Sequence, residues 1–181
     1  EYDSRADDVY VQGTDSKTVS ITETSGGNFE ALDKTSTATV TVKDDSDVTK
    51  ITLTGSEVKE GEKVVITATV EKPVTGSDLV ITLDNGKTIT IPVGESTGKV
   101  EYDSRADDVY VQGTDSTTVK ISGTSGGNYE ALDTTDTTTV TVRDDNDPTK
   151  ITLTGSDVNE GGQITITATV GKPVTESDLV I

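Results

Sequence analysis

Apolar and polar residues alternate along most of this chain. In residues 51–54, Ile51 and Leu53 share one face; in 64–70, Val64, Ile66, Ala68 and Val70 do. A period of two marks half-buried strands, and the spacing of an amphipathic helix is almost nowhere found. Residues 79–83 and 88–92 read as strands around Asp84-Asn85-Gly86, a hairpin turn. Further strands are predicted at 99–102, 109–111, 118–122 and 138–142. Threonine occupies 35 of 181 positions, which suits the open faces of sheets. Short strands with turns between them predict an all-β chain of immunoglobulin-like β-sandwich domains.

The same pattern occurs twice. Residues 1–81 align with 101–181 without a gap and are identical at 62 positions. EYDSRADDVYVQGTDS is unchanged between the copies. A period of 100 residues is too long for a solenoid coil and suits one small domain per repeat. The charged run Asp144-Asp145-Asn146-Asp147-Pro148 is the best linker signal, because its proline cannot donate to a ladder. Cutting there gives one complete domain at 47–146. Residues 1–46 are then the back part of a preceding domain and 147–181 the front part of a following one. Chain ends of such a domain fall at opposite poles, so repeats string out lengthwise, each about 40 Å long. Head-to-tail pairing of the two partial domains is a second possibility, but it would lack the segment 82–100.

Composition narrows the chemistry. The chain has no Cys, His, Met or Trp and a net charge of −18. Disulfides and thiolate metal sites are excluded, as are the usual general base and the usual zinc ligand. An acidic chain repels nucleic acid and anionic membranes, and no apolar run approaches the roughly 20 residues of a bilayer span. No small-molecule substrate is indicated. A core of this size with so few aromatics predicts marginal stability without an extra tie.

Strand direction gathers the acids. If the first strand of the complete domain ascends, the loops holding Glu60, Asp84, Asp103 with Asp107 and Asp108, and Asp144, Asp145 and Asp147 all fall at one pole. Such carboxylates repel unless a cation joins them. Calcium accepts six to eight oxygens in irregular geometry, whereas magnesium is stricter and transition metals prefer nitrogen or sulfur. The alternative is that these acids are simply solvated. Asp115, Asp133 and Asp136 read as surface acids, and the last is Ser36 in the other copy.

Other motifs carry less. SGGNYEALD, 125–133, fits neither a P-loop nor a dinucleotide fingerprint, nor the calcium nonapeptide repeat. It reads as a tight loop at the opposite pole, able to touch a neighbouring domain. Its Tyr129 is Phe29 in the other copy, so the position wants a ring, as core. Arg105-Ala106-Asp107 is similar to short cell-binding tripeptides, a match near chance level.

Taken in order, EGxxxxITATV, DLVITLDNGKTITIPVGESTGKV, ADDVYVQG, TSGGN(F/Y)EAL and TVTV(K/R)DD resemble the repeats of large LapA-like adhesins of Gram-negative bacteria. That resemblance covers the whole chain. It implies a giant, type I-secreted, calcium-associated RTX surface protein that promotes biofilm, with long arrays that hold an adhesive region away from the cell. The pattern is also similar to Calx-β domains, which implies calcium at Glu60, Asp84, Asp107, Asp108, Asp144 and Asp145. It departs from them after Asp108, where Val-Tyr-Val-Gln-Gly replaces an acidic stretch. The Asp-Asn-Asp-Pro joint is similar to cadherin linkers, which implies that calcium stiffens the junction and brings Asp147 into it.

The leading expectation is therefore a calcium-stabilised extender, extracellular on the bacterial surface, whose partners are neighbouring repeats. Paired acids could serve a glycosidase, but a tandem array of identical active sites is an unlikely design for small sandwiches. A glycan- or host-protein-binding module would want exposed aromatics. Ice binding would want flat threonine ladders, which twisted sheets do not present.

Overall fold

A computed structural model describes residues 3–181. The described residues form an all-β fold of strands β1 (Asp15–Ser20), β2 (Thr37–Val42), β3 (Val48–Gly55), β4 (Glu57–Lys59), β5 (Lys63–Val70), β6 (Leu79–Leu83), β7 (Thr88–Ile91), β8 (Thr97–Asp103), β9 (Thr114–Ser125), β10 (Ala131–Asp133), β11 (Thr137–Arg143), β12 (Ile151–Gly155) and β13 (Ile166–Val170). They order into a sheet β10-β3-β5-β8, a sheet β4-β11-β9-β6-β7, and the pairs β1-β2 and β12-β13. Two compact units result. One holds Glu1–Thr54, Ile66–Val100 and Thr118–Thr138; the other holds Gly55–Val65, Glu101–Thr117 and Thr139–Ile181.

The first unit contains a β-sandwich core. Ile51 and Leu53 of β3 are buried with Ile66, Ala68 and Val70 of β5. From the other sheet come Leu79, Ile81 and Leu83 of β6, Ile89 and Ile91 of β7, and Val119 of β9. These are the alternate positions of each strand, so every strand offers one apolar edge to the same core. Each such side chain stabilises the fold by about 1.5–3 kcal/mol. Strand β6 pairs antiparallel with β7 in the register Leu79↔Ile91 and Ile81↔Ile89. The expected turn closes it: Gly86 N donates to Leu83 O at 3.0 Å with Gly86 at φ 77°.

Three features depart from the sequence expectations. Two short parallel strands appear, β10 beside β3 (Ala131↔Val48) and β4 beside β11 (Thr141↔Glu57). At three residues each, they are too short to carry a periodic signal. The strand expected at 109–111 is absent. Asp108 Oδ1 accepts the Tyr110 N–H at 2.7 Å, and this local turn captures the backbone group a ladder would need. Nor are two of the expected surface acids merely solvated. Asp136 Oδ2 accepts the Leu53 N–H at 2.8 Å, and Asp133 Oδ1 accepts both the N–H and the hydroxyl of Thr135.

Candidate metal centre

In the second unit, the loop after β4 is tied down by its backbone. Glu60 N donates to Arg143 O at 2.9 Å, Gly61 N to Arg105 O at 2.9 Å, and Ser104 N to Glu62 O at 3.1 Å. These bonds fix Glu60 in a buried position, which an unpaired carboxylate would not tolerate. Arg105 resolves the difficulty. Its Nε donates to Glu60 Oε2 at 3.0 Å, its Nη1 to Asp115 Oδ2 at 2.8 Å, and its Nη2 to Gly113 O at 2.8 Å and Asp144 Oδ1 at 3.4 Å. The planar fork of arginine suits several oxygens at once. Glu60 above all, with Asp115, holds the guanidinium protonated.

The other acids divide by what they bind. Asp144 Oδ2 accepts the Gln112 N–H at 2.8 Å and the Gly113 N–H at 3.4 Å. The Gln112 bond, with help from Gly113 and Arg105, holds its carboxyl below the usual range. Asp108 accepts from Tyr110 N and from the side-chain amide of Gln112. Both residues thus fasten the 108–113 loop. Asp84 lies in the first unit, where its Oδ1 accepts the Lys120 N–H at 3.2 Å and its own N–H donates to Lys120 O. Asp103 pairs with Lys63 at 2.8 Å.

Glu60, Asp107 and Asp145 are brought together. Each offers a carboxylate oxygen within 4.8 Å of the others. Gly61 makes room for this: at φ 75°, a Cβ placed on it would stand 2.9 Å from Asp107 Cβ. Asp145 Oδ1 is buried without a hydrogen-bond partner among the described residues. Burial first, then the nearby Asp147 and Asp107, raises its pKa. Asp147 lines a cavity of about 60 Å³ with Glu60, Asp108, Asp144 and Asp145. In the first unit, Asp7, Asp45 and Asp47 form a second group within the same 4.8 Å limit. These stand one period before Asp107, Asp145 and Asp147. Asp45 above all, then burial and Asp7, raises the Asp47 pKa.

The Arg105 hub was not legible beforehand, because Arg105 read as part of a tripeptide and Asp115 as solvated. One signal was there: both lie in the stretch unchanged between copies. Arg5, the counterpart of Arg105, makes three of these four contacts, to Asp15 at 3.2 Å, Gly13 O at 2.7 Å and Asp44 at 2.7 Å. Asp44 also accepts the Gln12 N–H at 2.7 Å.

Beside the first acidic group, the two copies of the repeat are joined in the first unit. The Tyr10 and Tyr129 rings lie 5.6 Å apart at 34°, and their residues form an antiparallel bridge. Val11 N donates to Asn128 O and Glu130 N to Val9 O, both at 3.0 Å. Asp47 N donates to Glu130 Oε2 at 2.6 Å. The glycine-rich loop therefore does touch the other copy. Tyr129 is buried as expected, though the ring it meets belongs to that copy.

The described residues are thus all-β, with acidic loops held by backbone and arginine bonds. Residues 1–45 and 47–145 match the family model of the LapA domain, and the chain belongs to that family. LapA domains are adhesin-related, a family of surface proteins and not one of enzymes. A comparison with curated proteins gives no match.

Proposed function

We propose that this chain is part of a calcium-stabilised extender array in a large, secreted bacterial adhesin, holding a distal adhesive region away from the cell for attachment and biofilm formation. The observation that carries this reading is the built joint between copies. Two rings, three backbone and side-chain bonds and an acidic group all meet where 1–46 runs into 47–146. An array that transmits force needs such joints; a set of independent binding modules does not.

The donor set fits a hard cation. Glu60, Asp107 and Asp145 offer only oxygen, with Asp147 lining the cavity beside Glu60 and Asp145. Asp145 Oδ1 is an orphaned buried acceptor, and burial, then the nearby Asp147 and Asp107, raises the Asp145 pKa. The first group holds Asp47, the counterpart of Asp147, and the second holds Glu60; we read them as one four-residue set repeated along the array. Asp144 and Asp108 support this set by holding its loops. Bound calcium would offset part of the group's negative charge. It would add about 2.7 kcal/mol per site at a hundredfold excess over its dissociation constant. For a marginal domain that is a large share of total stability.

Thermal unfolding of the chain with calcium and with chelator tests the cation. A higher midpoint in calcium is expected, and coincident curves would reject it. Small-angle scattering of a multi-repeat chain tests the extender: maximum dimension rises and flexibility falls on adding calcium. An unchanged profile with the domains still folded would sink the calcium hinge.

A further inference from the structure

Tyr10 and Tyr129 stand directly opposite each other across the bridge between the two copies. Val11 N donates to Asn128 O and Glu130 N to Val9 O, so the bonds flank this pair and the two tyrosines exchange none themselves. Side chains of such an antiparallel pair stand closest, and here the ring centroids are 5.6 Å apart with the planes 34° from parallel. The hydroxyls are gathered as well. Tyr10 Oη donates to Pro73 O and Tyr129 Oη to Lys72 O, both at 2.6 Å. Acceptors one residue apart bring the hydroxyl ends of both rings to one stretch of backbone. Asn128 Nδ2 donates to Val11 O at 3.2 Å and holds the loop in place. Tyr129 is 9% exposed and Tyr10 half-buried, so a radical formed on one ring meets the other ring before it meets another chain. Ring packing alone would not need two phenols, since the first copy has Phe29 where the second has Tyr129.

We propose that Tyr10 and Tyr129 are a site of oxidative cross-linking, which joins the two copies by a covalent bond between ring carbons. A one-electron oxidant takes an electron from each phenol, and each phenolic proton passes to water. The unpaired electron of a phenoxyl radical is shared by the oxygen and the ring carbons ortho and para to it. The para carbon already carries Cβ, which leaves the ortho carbons beside each hydroxyl to couple. The two radicals pair to form one ortho-to-ortho carbon bond. Each coupled carbon then loses its hydrogen as a proton and each oxygen regains one, which restores both aromatic rings and both hydroxyls. In sum, two electrons and two protons leave the protein. Hydrogen peroxide acting through a haem peroxidase is the class of oxidant that accepts them, and it becomes two waters. Directly bonded rings have closer centroids than these, so coupling draws the tyrosines together; the tilt of their planes suits a biaryl, whose rings twist about the shared bond. A joint whose loop carries phenylalanine, as at Phe29, lacks one phenol and stays noncovalent. The choice of tyrosine or phenylalanine therefore sets which joints of an array can lock. Coupling depends on the ring pair and not on the cation.

The test is photo-oxidation of the intact 181-residue chain by a ruthenium trisbipyridyl complex with persulfate, a small one-electron oxidant, in calcium-containing buffer with circular dichroism confirming the fold. Trypsin then releases residues 6–17 and 121–143, each with one tyrosine. The expected product is these two peptides joined, two hydrogens lighter than their sum by mass spectrometry, from a chain that runs as a monomer on a denaturing gel. Tyr129→Phe, which keeps the ring packing, should give none of it. The cross-linked native chain should unfold at higher urea than the untreated one, because the new bond closes a long loop in the unfolded state. A pair that stays unlinked, whether or not other tyrosines react, would overturn the proposal. So would equal yield from the urea-unfolded chain, or coupling confined to dimers.

Discussion

Arg105 donates its Nε–H to the buried carboxylate of Glu60 at 3.0 Å, with side chains 17% and 1% exposed. This acidic loop cluster therefore carries one cation of its own. Asp145 is among the acids Arg105 does not bond, and burial, then the nearby Asp147 and Asp107, raises its pKa.

Removing that arginine leaves Glu60 buried and unpaired. Arg105→Ala should destabilise the chain by about 3–5 kcal/mol, the usual cost of breaking a buried pair from one side. Arg105→Lys should recover only part of this, because an ammonium cannot serve four oxygens in one plane. Urea unfolding, with and without calcium, measures both. A loss confined to calcium-containing buffer would place Arg105 in the cation site instead of the scaffold.

Scaffold and cation acids should separate by variant. Asp107→Asn and Asp145→Asn should shrink the calcium-dependent rise in midpoint to what Asp7, Asp45 and Asp47 contribute, yet leave the midpoint in chelator equal or higher, since repulsion falls. Asp144→Asn should cost about 1–3 kcal/mol in either buffer, because it weakens bonds to Arg105, Gln112 and Gly113. If all three variants behave alike, the division is wrong.

Gly61 is required twice over, by its φ of 75° and by the approach of Asp107. Gly61→Ala should cost about 1–3 kcal/mol from the backbone alone. It should also weaken calcium binding by displacing Asp107, which calorimetric titration would detect. Full calcium affinity in a folded Gly61→Ala chain would remove Asp107 from the site.

The joint should fail at high pH. Burial, then the neighbouring Tyr10, pushes the Tyr129 pKa up to about 12 from an ordinary 10.0. The folded state keeps this proton longer than the unfolded chain does. Its contribution is therefore fully present below pH 10 and is lost as pH rises through 12. Unfolding midpoints across that window should drop more steeply in the native chain than in Tyr129→Phe. Parallel slopes would show that this hydroxyl is not held.

Local chemistry made much of this molecule readable. Strands at 64–70 and 79–83 lie almost where alternation puts them, because one face of each is buried and the other is wet. The Asp84-Asn85-Gly86 turn was legible because only glycine takes its positive φ cheaply. The joint could be seen as an acidic run, and Glu60, Asp107 and Asp145 could be named as converging.

What stayed hidden depends on distance in space. Asp108, Asp144 and Asp145 are the same residue type in similar loops. Their different surroundings arise only when 108–113 folds back onto the end of β11. Asp136 looked idle because its partner, the Leu53 N–H, is remote in sequence. Tyr129 was recognisable as a buried ring, but its partner belongs to the other copy. By itself, then, the sequence determined most of the strands, the repeat and the family, since the longer strands rest on periodicity and local backbone preference and the other two on the order of the residues themselves. Only tertiary structure decided which acids brace loops, which face one another and which ring closes the joint, because those depend on contacts between segments far apart in the chain.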